Sequence, residues 1–136
     1  MKSACIGAIL ATTLLPATTA TAAAGANTTK ITDNCSGHKY CVNLWESEDG
    51  YRTTTPFTHP INPSGGINAG HQYVYCKKAG DWVGPDRNHH NHWWLKTDLD
   101  WANSGMPWQN QYISAYGSTG PNDQAVDING RTIPTC

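Results

Sequence analysis

The strongest constraint on this chain is its punctuation. Short runs of β-forming residues alternate with stretches dense in glycine and proline. Residues 54–70 alone hold Pro56, Pro60, Pro63, Gly65, Gly66 and Gly70, which excludes a long helix there. Residues 80–91 and 102–110 read as loops in the same way. Between them, Tyr40–Trp45, residues 71–76, 92–97 and 111–116 are rich in Val, Ile, Thr, Tyr and Trp and predict strands. In residues 71–76, alternation puts Tyr73 and Tyr75 on one face and Val74 and Cys76 on the other. Asn129-Gly130, set between Ile128 and Thr132, signals a hairpin turn. One helical turn is expected near Asn122–Val126. Several short strands joined by such turns predict an all-β domain, a small barrel or sandwich.

The length of 136 residues fits one such domain and excludes a two-domain dinucleotide enzyme or a TIM barrel. Residues 1–24 carry Lys2, an apolar stretch from Cys5 to Leu15, and a small-residue end at Ala20-Thr21-Ala22-Ala23-Ala24. This is the pattern of a secretory signal peptide, with cleavage expected after Ala22 or Ala24. The Thr content and Pro16 argue against a membrane-spanning helix. Residues 25–40 read as a flexible lead-in, and 41–136 as the folded domain with a C-terminal hairpin tail. Asn27 and Asn34 each open an Asn-x-Ser/Thr sequon. Loss of Lys2 with the leader takes the net charge from −1 to −2, and neither value supplies the basic patch that nucleic acid requires. Secretion, a monomeric state and no membrane contact after cleavage are the expectations.

Cys5 leaves with the leader, so four of the five cysteines remain: Cys35, Cys41, Cys76 and Cys136. An even number in a small exported chain predicts two disulfides. No Cys-x-x-Cys pair supports a zinc site. Three pairings are open from sequence; Cys41–Cys76 across neighbouring strands, with Cys35–Cys136 tying the ends, is the one expected.

His89, His90 and His92 crowd four positions, and on a strand His90 and His92 share a face. That makes a metal-dependent enzyme the first alternative, with Asp86, Asp98, His59 and His71 as candidate further ligands. The competing reading is a polar loop entering a strand. Asp98 with Asp100, and Glu46 with Glu48 and Asp49, offer paired carboxylates of the kind a glycosidase uses. Acidic residues beside turns more often form hydrated loops or Asx turns, and that reading is adopted. No Gly-x-Ser-x-Gly elbow or phosphate loop occurs. Asp127-x-Asn129-Gly130 lacks the rest of a calcium loop and reads as a turn. No catalytic activity and no cofactor are expected.

The rings remain. Charged residues make up only 14% of the chain, while Trp and Tyr number six each against one Phe. Rings with a polar handle suit half-buried and binding surfaces. Trp93 and Trp94 are adjacent, so on a strand one faces inward and the other outward. The candidate ligand-binding residues are Trp94, Trp101, Trp108, Tyr112 and Tyr116, flanked by Trp45 and Tyr51, exposed together on one face.

Several strings in the chain resemble a bacterial SH3-like domain. Val42-Asn43-Leu44-Trp45-Glu46-Ser47 is similar to that family's opening strand. Asn68-Ala69-Gly70 resembles its glycine turn and Tyr73-Val74-Tyr75-Cys76 the strand that follows. His92-Trp93-Trp94-Leu95-Lys96-Thr97 and Gln111-Tyr112-Ile113-Ser114-Ala115-Tyr116 resemble its later strands. The Thr97-Asp98-Leu99-Asp100 and Pro107-Trp108-Gln109-Asn110-Gln111-Tyr112 strings are similar to small secreted SH3-like proteins of actinomycetes. The resemblance implies a five-stranded, partly open barrel with long loops. It also implies a non-catalytic module that binds cell-wall peptide or an extracellular protein. A small secreted toxin or inhibitor is the further alternative.

Overall fold

The computed structural model describes residues 35–136; the expected leader and the first part of the lead-in lie outside them. Eight strands and one short helix follow in order: β1 (Tyr40–Leu44), β2 (Glu48–Gly50), β3 (Gly65–Ile67), β4 (Gly70–Val74), β5 (Cys76–Asp86), β6 (His89–Thr97), β7 (Trp101–Ala102), β8 (Gln111–Ser114) and α1 (Tyr116–Thr119). The described residues are thus all-β apart from one helical turn, as the punctuation predicts. The strands form three sheets, β1-β4, β2-β3-β7 and β5-β6-β8, with every pair antiparallel. Main-chain bonds between Tyr51 and Tyr112 link the second sheet to the third. The Tyr75 N–H, donated to the Lys96 carbonyl, links the first sheet to the third. The sheets do not close on one another as a continuous barrel. Among the described residues no helix is long and apolar enough to cross a membrane.

The core sits between the sheets. Val42, Leu44, Ile67, Val74, Leu95, Leu99, Ile113, Ala115, Ala125 and Ile133 are buried together, with Tyr40, Trp93 and Trp108 packed against them. On β1, inward Val42 and Leu44 flank exposed Asn43, the period of two expected of a strand with one wet face. Burial of each large aliphatic side chain contributes about 1.5–3 kcal/mol.

Two strands appear where loops were expected. β5 runs to Asp86 because its backbone pairs with β6, and two register shifts absorb the extra residues around Gly80, Gly84 and Pro85. β3 forms from Gly65 and Gly66 because β7 must approach closely: a β-carbon on Gly66 would lie 2.2 Å from the Trp101 ring. Both are tertiary effects that local propensity does not record.

Among the described residues the one helix is at Tyr116–Thr119, not 122–126, and it cuts the expected 111–116 strand short at Ser114. The Ser114 hydroxyl accepts the Tyr116 N–H. The Asn91 amide, fully buried, donates to the carbonyls of Gly120 and Gln124, and 120–124 follows a turn and bend with positive φ at Gly120 and Asp123 instead of a helix. The Asn129-Gly130 turn is present: Asp127 Oδ1 accepts the N–H groups of Asn129 and Arg131, and Gly130 has φ +76°.

The disulfides are Cys35–Cys41 and Cys76–Cys136, which corrects the expected pairing. The register explains it. Cys41 lies opposite Tyr73, whereas Cys76 begins the next strand opposite Lys96. The tail runs parallel to β5, with Lys77 N–H bonded to the Pro134 carbonyl at 2.8 Å and Cys136 N–H to the Lys77 carbonyl at 2.9 Å. That ladder delivers Cys136 to Cys76.

Asp98 and Asp100 are buried rather than hydrated. Asp98 accepts from the Tyr73 and Tyr75 hydroxyls at 2.8 and 2.7 Å and from Asn110 N–H. Asp100 accepts from Asn68 N–H and from the Gln72 side chain. Both carboxylates serve as hydrogen-bond hubs that fold the 97–110 segment back onto β4.

Candidate binding groove

A groove of about 400 Å³ opens where β2, β6 and the 54–60 loop meet. Its floor is aromatic. Tyr51 continues β2 and is fixed by main-chain bonds to Tyr112, with N···O distances of 2.9 and 2.8 Å. Trp94 comes from the middle of β6, and its indole N–H donates to the Asp81 carbonyl at 2.9 Å. Phe57 reaches the same place from the proline-rich loop. The three ring centroids lie 5.9–6.1 Å apart with interplanar angles of 52–84°. Such tilted and edge-on geometry is the favourable one for aromatic rings.

Asp81 builds this cluster. Its carboxylate accepts the N–H groups of Phe57 and Thr58 at 2.7 and 2.9 Å, and also the Thr58 hydroxyl. Desolvation alone would raise its pKa, but these hydrogen bonds outweigh it and hold the carboxyl below its usual range. The Asp81 N–H bonds the Thr54 carbonyl at 2.7 Å. Gly80 permits this approach, since a β-carbon there would lie 1.9 Å from the Thr54 carbonyl oxygen.

The rim is acidic: Glu46, Glu48 and Asp49 border the rings. Glu48 is half-buried against Gly117, whose own β-carbon would fall 2.0 Å from the carboxyl oxygen. Burial first, then repulsion from Glu46 and Asp49, raises Glu48 from an ordinary 4.5 to about 7. Burial, with Asp49 and Glu48 nearby, likewise raises the Tyr51 phenol.

The expected aromatic face is only partly assembled. Tyr51 and Trp94 come together, with Tyr112 paired to Tyr51 through the main chain, but Trp94 is buried and not exposed as expected. Trp94 lies on the face of β6 opposite the core, and its 1% exposure reflects Tyr51 and Phe57 packing over it there. Half-buried Trp93 shares the core-facing side with Leu95 and carries the Lys77 ammonium over its ring. Trp45, edge-on to Tyr116 at 6.2 Å, lines a separate groove. Trp101 lies over Gly66, and Trp108 packs on the core. Phe57, 55% exposed, was missed. The available signal was a lone apolar ring in a loop that has to dock somewhere.

The histidines take other roles. His90 and His92 do share a face, and both rings contact Trp82, at 4.1 and 4.5 Å. His89 bonds Asp86 and His92 bonds Asp123. Hydrogen bonding lowers both carboxyls, that of Asp123 against an opposing desolvation. Among the described residues no group of three His, Cys, Asp or Glu side chains is arranged to hold a metal ion. Compared with known proteins, the chain matches no protein-family model, no curated protein and no solved structure.

Proposed function

We propose that this protein is a secreted, non-catalytic binding module of the SH3-like type, which takes an extended segment of cell-wall peptide or of a protein partner into the Tyr51–Phe57–Trp94 groove. The observation that carries the reading is the clamped ring cluster: three rings from separate elements, one of them exposed, held by Asp81 beneath a rim of carboxylates. Rings in fixed positions offer apolar contact at little entropic cost. The acidic rim favours a segment that carries a cation and disfavours an anionic one. The two disulfides and the leader-like N-terminus support an extracellular setting. The SH3-like assignment rests on the residue strings and on the all-β architecture of short strands and long loops.

The test is co-sedimentation of the oxidised, tag-free protein with insoluble peptidoglycan, with cellulose and chitin as controls. Selective pelleting with peptidoglycan, reduced by added polycations and retained with polyanions, is the expected result. Equal pelleting with all three solids would show that the rings adsorb surfaces without selection and would sink the proposal.

A further inference from the structure

A second groove, independent of the first, carries an unused pair of main-chain hydrogen-bonding groups. In an antiparallel pair, successive residues point their N–H and C=O alternately toward the partner strand and away from it. β1 turns its odd-numbered residues away from β4: the Cys41 carbonyl accepts the Ile128 N–H at 2.8 Å, and the Trp45 N–H donates to the Gly117 carbonyl at 3.1 Å. Asn43 lies midway between them, so its N–H and C=O face the same outer side. Among the described residues no hydrogen bond takes them up there. They face a groove of about 450 Å³ bordered by Trp45, Ser118, Thr119, Asp127 and Ile128. Trp45 and Ile128 are 53% and 49% exposed.

The slot is one residue long. An incoming strand would run on past Cys41 and Trp45, where Ile128 and Gly117 already occupy the edge. A group with one acceptor and one donor side by side meets Asn43 without running on. A primary carboxamide is such a group: its carbonyl accepts the Asn43 N–H, and its own N–H donates to the Asn43 carbonyl. The exposed Trp45 ring offers apolar cover for the methylenes behind it. The site also rejects the corresponding acid. A carboxylate has no donor for the Asn43 carbonyl. We propose that this slot binds the side-chain carboxamide of a Gln or Asn residue in a partner polypeptide.

The experiment is a ¹⁵N–¹H shift titration of the oxidised, tag-free protein with N-acetylglutamine methylamide and, separately, its glutamate counterpart. Saturable shifts at the Asn43 N–H and the Trp45 indole are expected with the glutamine probe. With the glutamate probe they should be weaker, since the carboxylate leaves the Asn43 carbonyl without a donor in the complex. Asn43→Pro removes the outward N–H, along with the exposed Asn side chain, on an edge that tolerates proline, and it should abolish the shifts. Trp45→Ala should weaken them with the fold intact. Equal titration by both probes, shifts centred elsewhere, no saturable shift at the solubility limit, or a folded Asn43→Pro variant that still binds would each overturn the assignment. The comparison of the two probes needs no variant.

Discussion

Glu48 makes stability depend on pH in a direction unusual for a carboxylate. Its pKa rises from an ordinary 4.5 unfolded to about 7 folded, because the half-buried carboxyl sits on Gly117 between Glu46 and Asp49. Between those two values the folded state holds a proton that the unfolded chain has released. Stability therefore falls as pH rises through this window. At 1.36 kcal/mol per unit the ceiling is on the order of 3 kcal/mol, and access of water to the groove trims it. Asp81, Asp86, Asp123 and Asp127 act oppositely: their lowered values contribute stability above an ordinary 3.8 that is lost as pH falls further. Thermal stability should peak near pH 4–5 and decline toward pH 8. Glu48→Gln mimics the protonated side chain and should flatten that decline, leaving the variant higher in Tm at pH 8 by roughly 10 °C if the ceiling is approached. Calorimetry of both proteins from pH 3 to 9, with ¹³C titration of the Glu48 carboxyl, measures this directly. Parallel profiles for the two proteins, or wild-type stability that rises from pH 5 to 8, would refute the reasoning.

Further expectations follow from the staples and the clamp. Cys76–Cys136 spans 60 residues and Cys35–Cys41 spans 6, so chain entropy assigns them about 4 and about 2 kcal/mol. The double Ser variant at 76 and 136 should lower the denaturant midpoint more than that at 35 and 41, and the reverse order would contradict the assigned pairing. Gly80→Ala should cost about 1–3 kcal/mol by pushing the Thr54 carbonyl away, and it should also loosen Phe57 from Trp94. A crystal structure with the loop unmoved would show that approach to be dispensable. Leu95→Ala, at a fully buried site, should cost about 2–5 kcal/mol by chemical denaturation, and a cost under 1 would place Leu95 outside the core.

What was legible in the chain was local. Tyr40–Leu44, Gly70–Val74, His89–Thr97 and Gln111–Ser114 contain dense β-formers, and all four are strands close to where the runs place them. Gly65–Ile67 and the outer half of β5 are strands only because a partner pairs with them, which composition does not encode. The pairing of cysteines depends on register, and a register was not available from spacing alone. The groove divides along the same line. Tyr51 and Trp94 could be nominated as rings, and Glu46, Glu48 and Asp49 as a carboxylate cluster. Their assembly with Phe57 depends on Asp81, on the absent side chain of Gly80, and on Gly117, contacts across 24 or more residues of chain. Alternation does place Trp94 on the face away from the core, but its exposure depended on the Tyr51 and Phe57 rings that cover it, which alternation does not record.

The central claim is that the clamped ring cluster is the binding surface. Phe57 and Trp82 make the decisive comparison, since they are 55% and 57% exposed and only Phe57 belongs to the cluster. The measurement is the fraction of Phe57→Ala and of Trp82→Ala that pellets with peptidoglycan, each first shown to be folded. The account predicts loss of pelleting for Phe57→Ala and near wild-type pelleting for Trp82→Ala. Undiminished pelleting of Phe57→Ala, or loss confined to Trp82→Ala, would contradict it.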